Sequence, residues 1–251
     1  MPKPLVALFV TCLVDMFRPS IGFASIKLLE EAGCAVVVPR GQTCCGQPAW
    51  NSGDRKTAKS IARQVIGEFE GFDYVVVPSG SCGATLAQDY AAMFDADDLW
   101  HQRAVAMGSK THEIVAFLTD VMGVKTVTAA LPTVATYHDS CSGLRALGVK
   151  NQPRQLLASV AGLELREMVE ADVCCGFGGM FCVKYPNISN AMVSDKTANA
   201  AATGAELLLA GDLGCLMNMA GKARREGRNL RLRHVVEVLA GDVNGPAIGE
   251  A

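Results

Sequence analysis

Eight cysteines carry the pattern by which this chain could do chemistry. Cys12, Cys44, Cys45 and Cys82 are followed by Cys141, Cys174, Cys175 and Cys215, at offsets of 129, 130, 130 and 133 residues. The same framework occurs twice, with Gly46 and Gly176 directly after the Cys-Cys pairs. Adjacent cysteines form only a strained disulfide, and one tetrahedral zinc usually takes thiols about two to four residues apart. A cluster of several irons suits the pattern better. Each iron takes one thiolate, and neighbouring thiols on a tight turn can reach two of them.

The stretch "CCGFGGMFC" at 174–182 adds glycines that let backbone N–H groups approach sulfur and offset the negative charge of a thiolate shell. Its G-x-G-G spacing departs from the G-x-G-x-x-G of a dinucleotide loop, and thiols lie inside the turn. Cys182 has no counterpart in the first half and reads as an incidental core residue. Cys34, heading "CAVVVP", reads as a buried small hydrophobe. His138 and Arg145 flank Cys141. They could serve a carboxylate substrate, as proton acceptor and guanidinium clamp. The simpler use is for Arg145 to neutralise a cluster and for His138 to donate to a thiolate. His101, His112 and His234 read as surface or packing residues.

The elements that must position these thiols follow from the apolar runs. "LVALFVTC" and "TVATYHDSC" lead into the first cysteine of each half, and "DYVVVPSGSC" and "ELLLAGDLGC" into the last. All four read as buried strands with a cysteine at the carboxyl mouth. Between them, Ala58, Ile61, Ala62, Val65, Ile66 and Phe69 form one helical stripe in 54–69. Apolar strands alternating with helices indicate parallel sheets covered on both faces. The expected fold is α/β, two duplicated small parallel-sheet units related by a pseudo-twofold axis, the first spanning 1–125 and the second 126–251. A connector at about 95–130 includes helical "HEIVAFLTDVMG" at 112–123, and "RHVVEVLAG" at 233–241 closes the second unit. In open α/β sheets ligands sit beyond the carboxyl ends of the strands, which is where the cysteines fall.

Composition limits the function classes. With 251 residues, half of them hydrophobic, the chain can bury a real core. A formal charge of −2 gives no reason to expect nucleic acid, and the basic run "KARREGRNLRLRH" at 222–234 reads as a solvated helix and its successor. No apolar run reaches membrane-span length. The leader-like N-terminus holds Asp15 and no small-x-small cleavage site, so it reads as a first strand. Ten cysteines in such a chain point to ligands in the cytoplasm and not to a disulfide framework.

These residues resemble a known family. The spacings C-x31-CC-x36-C and C-x32-CC-x39-C, with "TCCGQPAWNSG", "CCGFGGMF", "PSGSC" and "YHDSC", are similar to the cysteine-rich CCG domain present twice, as in lactate-utilization iron–sulfur subunits. The resemblance implies that the eight repeated cysteines hold one or two iron–sulfur clusters of the [4Fe–4S] type. It also implies a component of an L-lactate oxidoreductase complex that passes electrons while partner subunits, among them a ferredoxin-like iron–sulfur protein, share the oxidation to pyruvate. A glycolate-type oxidase subunit and a zinc-binding scaffold without turnover are the alternatives. Relatives such as the heterodisulfide reductase CCG subunit end each half in C-x-x-C, where this chain has Ser79 and Asp212, leaving four thiols per half. Ser142 stands where some relatives have histidine. Oxygen ligation by Ser79 or Asp212 would complete a five-ligand shell.

Overall fold

The apolar runs that precede the cysteines form eight short strands in two sheets of four, all parallel. A computed structural model describes residues 3–250; residues 1, 2 and 251, the extreme ends of the two expected halves, lie outside it. The first half runs β1 (Leu5–Leu8), α1 (Cys12–Phe17), α2 (Pro19–Glu31), β2 (Ala35–Val37), α3 (Gln47–Ser52), α4 (Arg55–Phe69), β3 (Tyr74–Val77) and α5 (Gly80–Ala84). After a π-helical turn come α6 (Tyr90–Ala92), α7 (Leu99–Gly108), β4 (Thr111–Glu113) and α8 (Ile114–Ala116). The second half runs β5 (Ala130–His138), α9 (Cys141–Leu147), α10 (Asn151–Leu157), β6 (Ala161–Leu165), α11 (Phe181–Lys184) and α12 (Pro186–Ala202). It ends with β7 (Leu207–Ala210), α13 (Leu213–Arg225), β8 (Arg231–His234) and α14 (Val235–Leu239).

The strand orders, β2-β1-β3-β4 and β6-β5-β7-β8, are the same. In each sheet the strand order reverses between the two central strands, β1 and β3 or β5 and β7, and this opens a crevice at the carboxyl ends. The duplication read from the cysteines is therefore a duplication of topology. Two segments differ from the sequence reading. "HEIVAFLTDVMG" begins as β4, and the helix starts only at Ile114; likewise "RHVVEVLAG" begins within β8. The expected connector thus supplies the fourth strand of the first sheet. Residues Thr111–Glu113 pair in parallel with Val75–Val77, an interaction that a helical period over a short run cannot reveal.

The halves pack face to face. Alternation along a strand sends successive side chains to opposite faces. Val6 and Leu8 of β1 share a core with Ala135 and Tyr137 of β5, while Ala7 and Phe9 pack outward under α4. Helices cross between halves in matched pairs: α2 meets α14 as α10 meets α8, and α5 meets α9 as α13 meets α1. At the centre, a Cβ on Gly80 would lie 2.7 Å from Gly143 Cα, so α5 and α9 approach at backbone distance and only glycine fits. Arg18 donates to the buried Glu237 across the same interface at 2.8 Å, and Ser20 donates to the same carboxylate oxygen.

Candidate functional site

Four of the strands stop before their cysteines, and Cys12, Cys82, Cys141 and Cys215 sit on helix first turns, a correction to the expectation that these cysteines end strands. Cys12 opens α1 and Cys141 opens α9, capped by Thr11 and Ser140, whose hydroxyls accept from Val14 N and Gly143 N. Cys82 and Cys215 lie in the first turns of α5 and α13. Their caps are Ser79 and Asp212, which accept from the Cys82 and Cys215 backbone N–H groups at 3.3 and 3.4 Å. A strand followed by a capped helix turn fixes a thiol at the rim of the sheet, with unpaired N–H groups beside it.

The Cys-Cys pairs are held identically. Gly46 and Gly176 both have φ +81°, a left-handed conformation that glycine takes without strain. That geometry turns the Gly46 N–H to Cys44 Sγ at 3.5 Å and the Gly176 N–H to Cys174 Sγ at 3.4 Å. The Tyr90 hydroxyl donates to the Cys45 carbonyl at 2.9 Å, and Asn218 does the same for the Cys175 carbonyl at 3.0 Å.

The result is two crevices, each lined by the four repeated cysteines of one half. The first, about 240 Å³, is lined by Cys12, Cys44, Cys45 and Cys82; the second, about 100 Å³, by Cys141, Cys174, Cys175 and Cys215. They lie side by side and share Gln47, Ser81, Phe177, Gly179 and Asp212 as wall. Each half also reaches over its neighbour's site: Phe177, Gly179 and Met180 line the first crevice, and Gln47, Asn51 and Ser81 the second. In the first, Cys12 Sγ lies 3.9 Å from Cys44 Sγ and Cys45 Sγ 3.3 Å from Cys82 Sγ. Hydrogen bonds from Cys12 and Cys45, together with the Gly46 and Cys45 backbone N–H groups, pull the Cys44 thiol far below its ordinary value. The same contact with Cys44, then burial, pushes Cys12 up. In the second, contact with Cys174 and burial push Cys141 up. Four soft donors converging on a cavity, with N–H groups aimed at sulfur, suit an iron–sulfur cluster or another thiophilic metal.

Asp212 and Ser79, the departures from C-x-x-C, are occupied otherwise. Asp212 Oδ2 accepts from Ser79 Oγ, Ser81 Oγ and Ser81 N at 2.9, 2.7 and 3.0 Å, and Oδ1 from Gly214 N and Cys215 N at 3.1 and 3.4 Å. A carboxylate offers about four lone-pair sites, and these donors use them. Asp212 thus caps the second half's cysteine helix and ties it to the first half's. Sequence reasoning missed this bridge because its partners are 131 and 133 residues away.

His138 is fully buried at the end of β5, and its ligand atoms lie within 4.8 Å of Cys175 and Cys215 Sγ. Neither ring nitrogen has a hydrogen-bond partner among the described residues. Burial drives its pKa down to about 3, so the ring is neutral. Arg145 is exposed on α9 and lines neither crevice. The arginine beside this region is Arg154, which grips the buried Asp139 at 2.8 and 3.0 Å. Among the other histidines, His101 contacts the Ala91 carbonyl, His112 packs on Tyr74 and Phe117, and His234 caps α14.

Cys182 donates to the Gly179 carbonyl at 3.1 Å and lines neither crevice, and Cys34 is buried in the shared core. Cys182→Ser and Cys34→Ala are therefore expected to leave metal content and spectrum at wild-type levels, with Cys34→Ala costing about 1 kcal/mol from lost packing. Anaerobic metal analysis and denaturant titration check both; metal loss in Cys182→Ser would make it a ligand.

Comparison with known proteins agrees with this architecture. The cysteine-rich domain CCG matches residues 6–87 and again 135–220. Lactate utilization protein A 2 of Bacillus cereus (strain AH820) is 44% identical over 239 residues, covering 95% of this chain and 99% of that protein. The protein of the same name from Bacillus mycoides (strain KBAB4) is 46% identical over 234 residues, covering 93% and 98%. Among solved structures, a hypothetical protein from Helicobacter pylori aligns with a TM-score of 0.64 at 9% identity, over 100% of this chain and 50% of that one, a likeness of fold alone.

Proposed function

The chain belongs to the lactate utilization protein A family and carries the cysteine-rich CCG domain twice, and on that premise we propose that it is the iron–sulfur electron-transfer subunit of a multi-subunit L-lactate oxidising system. The observation that carries the reading is the pair of crevices, each lined by four repeated cysteines at the carboxyl ends of a parallel sheet. The units 1–125 and 126–251 each offer one site, with Cys12, Cys44, Cys45 and Cys82 holding a [4Fe–4S] cluster in the first and Cys141, Cys174, Cys175 and Cys215 in the second. Such a cluster, when bound, supplies reversible electron storage at a potential set by its charge, hydrogen bonds and exposure.

The chain's own residues do the rest. Gly46 and Gly176 aim N–H groups at sulfur, and Tyr90 and Asn218 lock the two Cys-Cys turns. Cys45 in the first site and Cys175 and Cys215 in the second are buried, which limits water there, while Cys12, Cys44, Cys82, Cys141 and Cys174 are half-buried. Half-buried thiols give an electron partner close approach. Oxidation of lactate to pyruvate releases two electrons and two protons; partner subunits, including a ferredoxin-like iron–sulfur protein, share that oxidation, and this chain relays the electrons one at a time. The working compartment is the cytoplasm; no described helix is long and apolar enough to cross a membrane.

Anaerobic purification tests the proposal. The expected result is a brown protein with iron and acid-labile sulfide in equal amounts and an EPR signal on reduction. Zinc bound in the crevices without sulfide would replace electron transfer by a scaffold role.

A further inference from the structure

The two crevices are built alike and backed differently. An offset of 131 residues carries the buried face of α4, Ala58, Ala62, Val65, Ile66 and Phe69, onto that of α12, Ser189, Val193, Lys196, Thr197 and Ala200. The 129-residue offset of the leading cysteines likewise carries Ala7 and Phe9 onto Thr136 and His138. Behind the first site the layer is therefore apolar, with the Phe9 and Phe69 rings 5.3 Å apart. Behind the second it is polar: Thr136, His138 and Thr197 are 0% exposed and Lys196 2%.

Burying polar groups without partners costs stability, so they call for an explanation. Among the described residues, Thr136 Oγ1 and both His138 nitrogens lack hydrogen-bond partners. Lys196 gives its ammonium to the carbonyl of Glu170, itself held at φ 58°, and lies within electrostatic reach of Cys175 and Cys174. His138 stands beside Cys175 and Cys215, whose sulfurs are weak acceptors as thiols and strong ones as thiolates. A Cys175 or Cys215 sulfur in its loaded, deprotonated state is a strong acceptor within 4.8 Å of the imidazole.

We infer that the two sites have unequal reduction potentials, the second being the higher, because His138 donates to a Cys175 or Cys215 sulfur and Lys196 adds a buried cation, whereas Phe9 and Val65 offer the first site neither. The inference rests on the iron–sulfur reading above. Hydrogen bonds to sulfur and nearby positive charge stabilise the reduced, more negative cluster and raise its potential. The asymmetry gives the duplicated chain a direction: an electron entering at the first site moves to the second. His138 and Lys196 are positioning residues in this scheme.

EPR-monitored redox titration of the full chain, anaerobic and reconstituted, tests it. Cys45→Ser and Cys175→Ser backgrounds isolate the second and the first site in turn. In the Cys45→Ser background, His138→Phe, which installs the first half's own residue, is expected to lower the reduction equilibrium constant of the second site about tenfold, 59 mV for a one-electron couple. Lys196→Met should shift it in the same direction. His138→Gln, which keeps an N–H donor, should recover most of the loss, and in the Cys175→Ser background His138→Phe should leave the first site unmoved. Iron and sulfide per chain stay constant throughout. An unchanged second-site potential in both His138→Phe and Lys196→Met, or an equal shift at both sites, overturns the inference. Iron loss in His138→Phe, with the strong nitrogen coupling of a direct iron–nitrogen bond in 15N-histidine protein, overturns the donor role and makes His138 a ligand. A wild type lacking iron and sulfide sinks the underlying reading instead, and shows itself before any titration.

Discussion

Cys45→Ser is expected to empty the first crevice and leave the second loaded, so that iron and sulfide per chain fall by about half in a chain that wild type fills at both sites. Cys45 is 2% exposed, its Sγ lies 3.3 Å from Cys82 Sγ, and its carbonyl is fixed by Tyr90, so no neighbouring thiol can take its place without unwinding the turn. Serine oxygen is a harder donor and binds cluster iron less well than thiolate. The second crevice keeps its own four cysteines, and the wall between the sites is made by Gln47, Ser81, Phe177, Gly179 and Asp212, none of which this substitution replaces. Iron and sulfide analysis with EPR of the reduced protein checks the result. Loss of both signals in a folded protein would mean that the crevices hold one shared centre and that the duplication is not functional.

Asp212→Ala should destabilise the fold by about 3–5 kcal/mol. Loss of a helix N-cap accounts for about 1 kcal/mol, and each buried donor left without a partner adds about 1–3 kcal/mol. Asp212 is 3% exposed and serves five donors from both halves, so its removal also loosens α5 against α13 at the wall common to both crevices. Against a typical total of about 5–15 kcal/mol this is a large fraction. Anaerobic denaturant titration measures it, with iron content read in parallel; both sites should load less well. A cost under about 1 kcal/mol would show that the bridge contributes little, and loss of iron from the second site alone, with stability intact, would restore Asp212 as a ligand candidate.

The eight repeated cysteines, the duplication and the parallel α/β class were legible in the chain. They rest on local signals: apolar runs near strand length, one helical stripe at 54–69, and a cysteine spacing that recurs whatever the tertiary arrangement. Sequence also supplied His138 as a residue of interest and Cys34 as packing, since a buried small thiol needs only an apolar neighbourhood. What it did not contain was distance. β4 is recognised only by pairing with β3, because three residues carry too little periodicity to declare a strand.

The tertiary structure alone decided how the halves meet. Asp212 and Ser79 read as gaps in a ligand set until the face-to-face packing joined them as caps and cross-link. Arg145, about one helical turn from Cys141, faces solvent, whereas Phe177 and Asn51 line crevices that no local pattern assigns to them. The unequal backing of the two sites is a property of the buried faces of α4 and α12, which only the folded chain defines. The reason is physical: thiol spacing is fixed by the covalent chain, but the partners that orient those thiols, and the polar or apolar layer behind them, come from elements more than a hundred residues away that only close packing brings together.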